Sequence, residues 1–151
     1  MASSAADLKS HIGFWLRYVS NHVSYAFARK LEGQDVTVAE WVLMRELHDV
    51  EAAAPSHLAE RLGMTRGGIT KLADRLIAKS LISRKTSLTD GRAQTLALTA
   101  KARRLVPELA ELANQNDTEF FDDLKQSDRE HLLRILKHIV ERRGLKTLPI
   151  R

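Results

Sequence analysis

No cysteine occurs among the 151 residues, which excludes disulfides, thiolate metal ligands, cysteine nucleophiles and any oxidant sensor built on a thiol. No apolar run approaches the length needed to span a bilayer, so no membrane partner is expected. Met1 to Asp7 lack the basic start and apolar stretch of an export signal, and a cytoplasmic protein with a frayed N-terminal tail is expected. Proline and glycine are few, at three and seven, beside 44% apolar and 28% charged residues, the composition of a helix-rich globular protein. The length suits one domain, or a small domain with an oligomerisation element, rather than two full domains. Nucleophile elbows, glycine-rich phosphate loops and metal motifs are also missing, so neither an enzyme nor a bound cofactor is expected. His11, His22, His48, His57, His131 and His138 include no pair at the four-residue spacing that places two imidazoles on one helical face, and no metal site is expected.

What is present is positive charge, unevenly placed. Arg61 to Arg104 holds eleven Lys and Arg residues against Asp74 and Asp90, a net of +9 within a chain whose total is +5. A charge excess on one short segment suits a surface that sits against a polyanion, and nucleic acid is the first hypothesis. A solvated basic face without a partner is the alternative, and the positions of the charges decide between them.

Leu8, Ile12, Trp15, Leu16, Val19, Val23, Ala26 and Phe27 recur at three- and four-residue steps, predicting one long amphipathic helix from Asp7 to about Leu31, stopped by Gly33. Thr37 followed by Glu40 is a capping box opening a helix that runs to about Asp49. Pro55 suits the start of a two-turn helix that Gly63 ends. Thr65 is a plausible N-cap for a helix reaching about Lys79, whose apolar stripe is Ile69, Leu72, Ala73, Leu76 and Ile77, with Gly67, Lys71 and Asp74 on the opposite face. Two short helices joined by a tight turn at 63–65 make a helix-turn-helix, whose second helix enters the major groove N-terminus first.

Leu81 to Thr86 and Gln94 to Leu98 are rich in β-formers, and Asp90-Gly91 between them signals the turn of a hairpin. The fold class expected is therefore mainly α with a small β-hairpin wing, a winged helix-turn-helix. Thr99 caps a long fifth helix in which Pro107 predicts a kink or break. Ser127 with Glu130 reads as a second capping box for a final helix. That helix carries an apolar arc too wide for one partner face, which calls for a second subunit, a wholly intramolecular bundle being the alternative.

The run from Thr37 to Arg104 resembles the MarR family of winged helix-turn-helix regulators. The likeness rests on Leu58-Ala59-Glu60-Arg61-Leu62-Gly63-Met64-Thr65-Arg66-Gly67-Gly68-Ile69-Thr70-Lys71-Leu72-Ala73-Asp74-Arg75-Leu76, and on Thr89-Asp90-Gly91-Arg92 followed by Leu98-Thr99. The order of the flanking helices matches as well. Ser80 and Ala102 stand where the family usually has glycine, and Ser80 tolerates a left-handed backbone less well. The resemblance implies a homodimeric DNA-binding regulator, with residues 37–99 as the DNA-binding domain and 1–36 with 100–151 as the helical dimerisation region. A repressor is expected over an activator, because blocking a promoter needs no contact with polymerase. A winged-helix protein-interaction module and a metal-responsive regulator are the alternatives.

By position, Thr65, Arg66, Gly67, Gly68, Thr70, Lys71 and Arg75 face the major groove of double-stranded DNA or its bordering phosphates. Arg66 is the candidate for a bidentate guanine contact and Lys71 for a phosphate point charge. The other reading of Arg75 is a salt bridge within its own subunit, and Asp74 is suited to hold a neighbouring arginine. Arg84 and Lys85 are candidate phosphate contacts, and Arg92 a candidate for the minor groove. The resemblance implies that Asp90 braces Arg92. It further implies release of DNA by a small aromatic or anionic effector, for which Trp15, Tyr18, His22, Trp41 and Arg45 are candidate pocket residues. Plain core is the first reading of both tryptophans.

Overall fold

The computed structural model describes residues 5, 7–86, 94–146, 148 and 149. Helix α1 spans Ile12–Glu32, and the periodic stretch before it is divided rather than continuous. Leu8–Ser10 form a separate 3-10 turn, and His11 takes extended backbone. The Asp7 carboxylate accepts the Lys9 N–H while the Ser10 hydroxyl donates to the Asp7 carbonyl at 2.6 Å, local bonds that compete with helix propagation. Gly33 ends α1 in an ordinary right-handed conformation, and the left-handed residue falls two positions later, at Asp35 with φ 57.

Helix α2, Val38–His48, opens with the expected capping box: Glu40 N–H donates to Thr37 Oγ1 at 3.2 Å and Thr37 N–H to Glu40 Oε1 at 2.9 Å. Helix α3, Pro55–Leu62, starts on its proline and closes on Gly63 at φ 64. Helix α4, Arg66–Ala78, is capped by Thr65, whose hydroxyl accepts the Gly68 N–H at 3.0 Å. Leu43, Met44 and Leu47 of α2, Leu58 and Leu62 of α3, and Ile69, Leu72 and Leu76 of α4 bury their apolar stripes in one core with Leu31. The two periodic stripes thereby fix the helix-turn-helix angle through packing.

Ser80 does adopt the left-handed backbone, at φ 61, where Ser80 and Leu81 N–H close on the carbonyls of Ile77 and Leu76 and end α4 in a Schellman-like turn. A side chain in this region costs about 1 kcal/mol relative to glycine. Ser80→Gly is therefore expected to raise the midpoint of thermal unfolding by a few degrees, read by circular dichroism.

Strands β1 (Ile82–Thr86) and β2 (Gln94–Leu98) pair antiparallel, with Ile82 opposite Leu98 and Thr86 opposite Gln94. The hairpin expected from composition is thus present, and its turn, including Asp90 and Arg92, lies outside the described residues. The sequence gives no sign of a third strand segment: Ala53, in the loop before α3, exchanges both backbone bonds with Leu96 at 2.9 and 2.8 Å.

Helix α5, Ala100–Phe121, capped by Thr99, runs as one helix through Pro107, so of the expected kink or break the break does not occur. Ala102 and Val106 before the proline and Leu109 just after it are buried in the core, and that packing holds the helix although one backbone donor is missing. Helix α6, Gln126–Arg143, begins earlier than expected, with Lys125 as its N-cap and no side-chain cap. Ser127 consequently falls inside the first turn, the expected second capping box does not form, and Glu130 instead accepts from the Gln126 amide at 3.1 Å. No residue of α6 is buried within the protomer, which leaves its apolar arc open to solvent. Among the described residues no helix is long and apolar enough to cross a membrane.

Candidate nucleic-acid interface

The N-terminal turn of α4 stands open to solvent. Thr65, Arg66, Gly67, Thr70 and Lys71 are all exposed, while Ile69 and Leu72 on the opposite side are buried. The Thr65 hydroxyl satisfies the Gly68 N–H, and the Thr70 hydroxyl donates back to the Arg66 carbonyl at 3.0 Å. Among the described residues neither Arg66 nor Lys71 has an ion-pair partner. A helix N-terminus with free donors, positive partial charge and uncommitted cations is suited to hold an anion.

The two glycines of this turn differ. A Cβ on Gly68 would come within 3.2 Å of both Met64 Cε and Thr65 Oγ1, so Gly68 is needed by the cap itself. A Cβ on Gly67 would meet nothing closer than 4.0 Å. Gly67→Ala is thus expected to stabilise the fold slightly, by about 0.5 kcal/mol, while lowering DNA affinity several-fold through lost close approach. Thermal melting and gel shift on one preparation check both halves, and unchanged affinity contradicts the role assigned to Gly67.

Two of the cations expected at DNA are held within the protein. Arg84 of β1 donates to Asp74 of α4 at 2.8 Å, the neighbouring-arginine role suited to Asp74, and the pair ties the wing to α4. Arg75 donates to Thr37 Oγ1 at 3.3 Å and lies 3.4 Å from Glu40 Oε1, the intrasubunit reading. Both arginines keep exposed faces, and Lys85 is exposed on β1.

The sequence marks Glu40 only as the capping-box partner of Thr37, and its contacts with α4 are not legible there. Its side chain is fully buried, and Lys79 Nζ lies 3.1 Å from each carboxylate oxygen, with an aligned hydrogen bond to Oε1. Lys79 also donates to the Asp35 carbonyl at 2.7 Å. Burial pushes the Glu40 carboxyl upward, but the Thr37 N–H and the Lys79 ammonium outweigh it and hold the group below the ordinary value of 4.5. A lowered native value means that the ionised carboxylate stabilises the fold above the unfolded-state value, and that this contribution is lost as pH falls through the native one. Glu40→Gln is expected to lower the melting midpoint at neutral pH and to flatten its decline below about pH 4.5.

Of the candidate effector residues, Trp15, Tyr18 and His22 form an aromatic row along α1, while Trp41 and Arg45 lie apart from it. Trp41 packs edge-on against Phe27, with ring centroids 6.4 Å apart, and lines a cavity of about 360 Å3 between α1, α2 and α5 with Val23, Val42 and Asn116. Trp15 is 47% exposed and donates its indole N–H to the Lys9 carbonyl at 2.8 Å, so its reading as plain core fails in the protomer. It borders a different space, about 740 Å3, with Leu16, Phe120, Phe121, Leu132 and Leu136. Tyr18 and His22 stack on each other on the exposed face of α1, and Arg45 is committed to Asp49 at 2.9 Å. Among the described residues no group of three His, Asp or Glu side chains is placed to hold a metal ion.

A helix-turn-helix with an exposed basic second helix, followed by an antiparallel hairpin and flanked by long helices, defines a winged helix-turn-helix protein. Residues 34–93 match the model of the MarR family. Solved structures extend the likeness of fold to most of the chain. BpsR of Bordetella bronchiseptica, in a structure concerned with regulation of its DNA binding by 6-hydroxynicotinic acid, superposes with a TM-score of 0.77 at 20% identity, covering 90% of this chain and 97% of that one. CouR of Rhodococcus jostii bound to p-coumaroyl-CoA gives 0.76 at 21% identity, over 89% and 95%. A mutant MarR of E. coli complexed with operator DNA gives 0.76 at 21%, over 85% and 93%.

Proposed function

We propose that the protein is a homodimeric transcriptional regulator that binds a palindromic operator in double-stranded DNA, acts as a repressor and is released by a small-molecule effector. The observation that carries this reading is the open N-terminal turn of α4, where Arg66 and Lys71 are exposed without ion-pair partners among the described residues. Arg66 reads a base edge, Thr65, Gly67, Gly68, Thr70, Lys71 and Arg75 line the groove and its phosphates, Arg84 and Lys85 hold the backbone, and Arg92 with Asp90 serves the minor groove.

Residues 37–99 form the DNA-binding domain in this reading, and 1–36 with 100–151 join two protomers. The exposed apolar residues of α1 and α6, among them Ile12, Leu16, Leu133 and Val140, support that role. Dimerisation sets two α4 helices about one DNA turn apart, so half-sites spaced by roughly 10 bp are expected. The cavity beside Trp41 supports a small aromatic or anionic effector between the dimerising helices and the DNA-binding domain, and the molecules named with BpsR and CouR are both aromatic and anionic.

Selection from random duplexes followed by gel shift tests the proposal. Recovery of an inverted repeat, bound with a log affinity that falls against log salt at a slope on the order of −5 to −7, is expected if each half neutralises three or four phosphates. Salt-insensitive association overturns it.

A further inference from the structure

The geometry points to Glu40 as a positioning residue for DNA recognition: through Lys79 and Arg75 it fixes the last turns of α4 and aims the outer edge of Arg75 at a backbone phosphate. The inference rests on the DNA-binding reading above. Glu40 lies in the first turn of α2, yet it is the meeting point of three segments. Its Oε1 accepts the Thr37 N–H at 2.9 Å, Lys79 reaches both oxygens at 3.1 Å, and Arg75 stands 3.4 Å from Oε1.

Lys79 carries the linkage to the 33–37 turn by donating to the Asp35 carbonyl at 2.7 Å, with its Nζ 3.9 Å from Asp35 Oδ1. Lys79 and Arg75 are four residues apart on α4 and so project from one side of it. A carboxylate without solvent exposure cannot wander, so the cations that meet it are held where its backbone holds it.

Arg75 is arranged differently from Lys79. Its guanidinium is half exposed, and only Nη2 engages Thr37 and Glu40. A guanidinium has five donors in a rigid fork, so one edge can rest on the protein while the other meets a phosphate. An arginine anchored in this way loses less rotamer freedom on binding than a free one. Lysine cannot do the same, because an ammonium is a point charge without a second edge.

Gel shifts of the full chain on its selected operator and on an unrelated duplex of equal length, with Glu40→Gln, Arg75→Gln and the double variant, test the inference well below the lowest melting temperature. Each single variant is expected to weaken operator binding about 5- to 20-fold and to reduce the salt slope by about one. The double variant should be no weaker than the worse single one, because both remove the same contact. Multiplied losses, or a Glu40→Gln protein with an unchanged salt slope and only a lower melting temperature, overturn the positioning role. Arg75→Lys guards against a Glu40→Gln protein that does not fold: it should keep the salt slope yet lose operator affinity, and wild-type affinity in that variant also overturns the inference. A wild-type protein that binds DNA without salt dependence refutes the DNA reading and this role with it. A salt-dependent wild type with independent variants removes the role alone.

Discussion

Leu133→Glu or Ile139→Glu on α6 is expected to convert the protein from a dimer to a monomer in sedimentation and to weaken operator binding at least 100-fold. These side chains are 52% and 44% exposed in the protomer, so the fold itself should melt near its normal temperature. The proposed dimer would cover them together with Leu132, Ile135 and Val140, which are exposed beside them on α6. A carboxylate buried there without a partner costs several kcal/mol. Losing the second protomer removes the linked half-site, and linked binding exceeds a single contact by about 100- to 10,000-fold. A variant that remains dimeric, or a monomer that still holds the operator tightly, refutes the assignment of α6.

The next largest effect is expected at Arg66. Arg66→Ala should weaken binding to the preferred operator by about 10- to 100-fold, from the roughly 1 to 3 kcal/mol of discrimination that a bidentate base contact provides. Binding to unrelated DNA should change little. The distinction matters because Arg66 is the first residue of α4, exposed and without an ion pair among the described residues; its truncation leaves nothing buried unsatisfied and should not shift the melting temperature. Lys71→Ala should instead weaken all sequences alike by a few-fold and reduce the salt slope by about one. Equal losses on operator and unrelated duplex after Arg66→Ala identify it as a phosphate contact.

The helix-turn-helix was legible because each of its boundaries carries a local signal. The Thr37 and Thr65 caps, Pro55 and Gly63 all act within a few residues of where they stand, and local chemistry decides such positions. Failures arose where packing or competing local bonds outweighed those signals. Pro107 does not break α5, because Val106 and Leu109 are held by the core. Ser127 and Glu130 have capping spacing, yet the N-cap of α6 is Lys125, two residues too early for them to use it.

The candidate site divides in the same way. The exposure of Arg66, Gly67, Thr70 and Lys71 opposite buried Ile69 follows from helical periodicity, which the sequence carries. The meeting of Glu40 with Lys79, 39 residues apart, depends on how α2 packs against α4, and no periodicity encodes it. The bridge from Ala53 to Leu96 is equally silent, since it is made by backbone atoms alone. The effector residues fall into separate groups because placing them on the same pair of helices says nothing about which side of α1 meets α2. Trp15 and Trp41 border different spaces.

Asn116 gives α1 and α5 a fixed register. Its amide is buried, donating to the Val23 carbonyl at 3.0 Å and accepting from Lys30 at 3.0 Å, while Lys30 also meets Glu119 at 2.9 Å. A slide of one helix past the other by a single turn, about 5.4 Å, strands both the amide and the ammonium in apolar surroundings. In the proposed dimer, a change in the gap between the two α4 helices would then come from pivoting this helix pair as one lever, with Asn116 as its rivet.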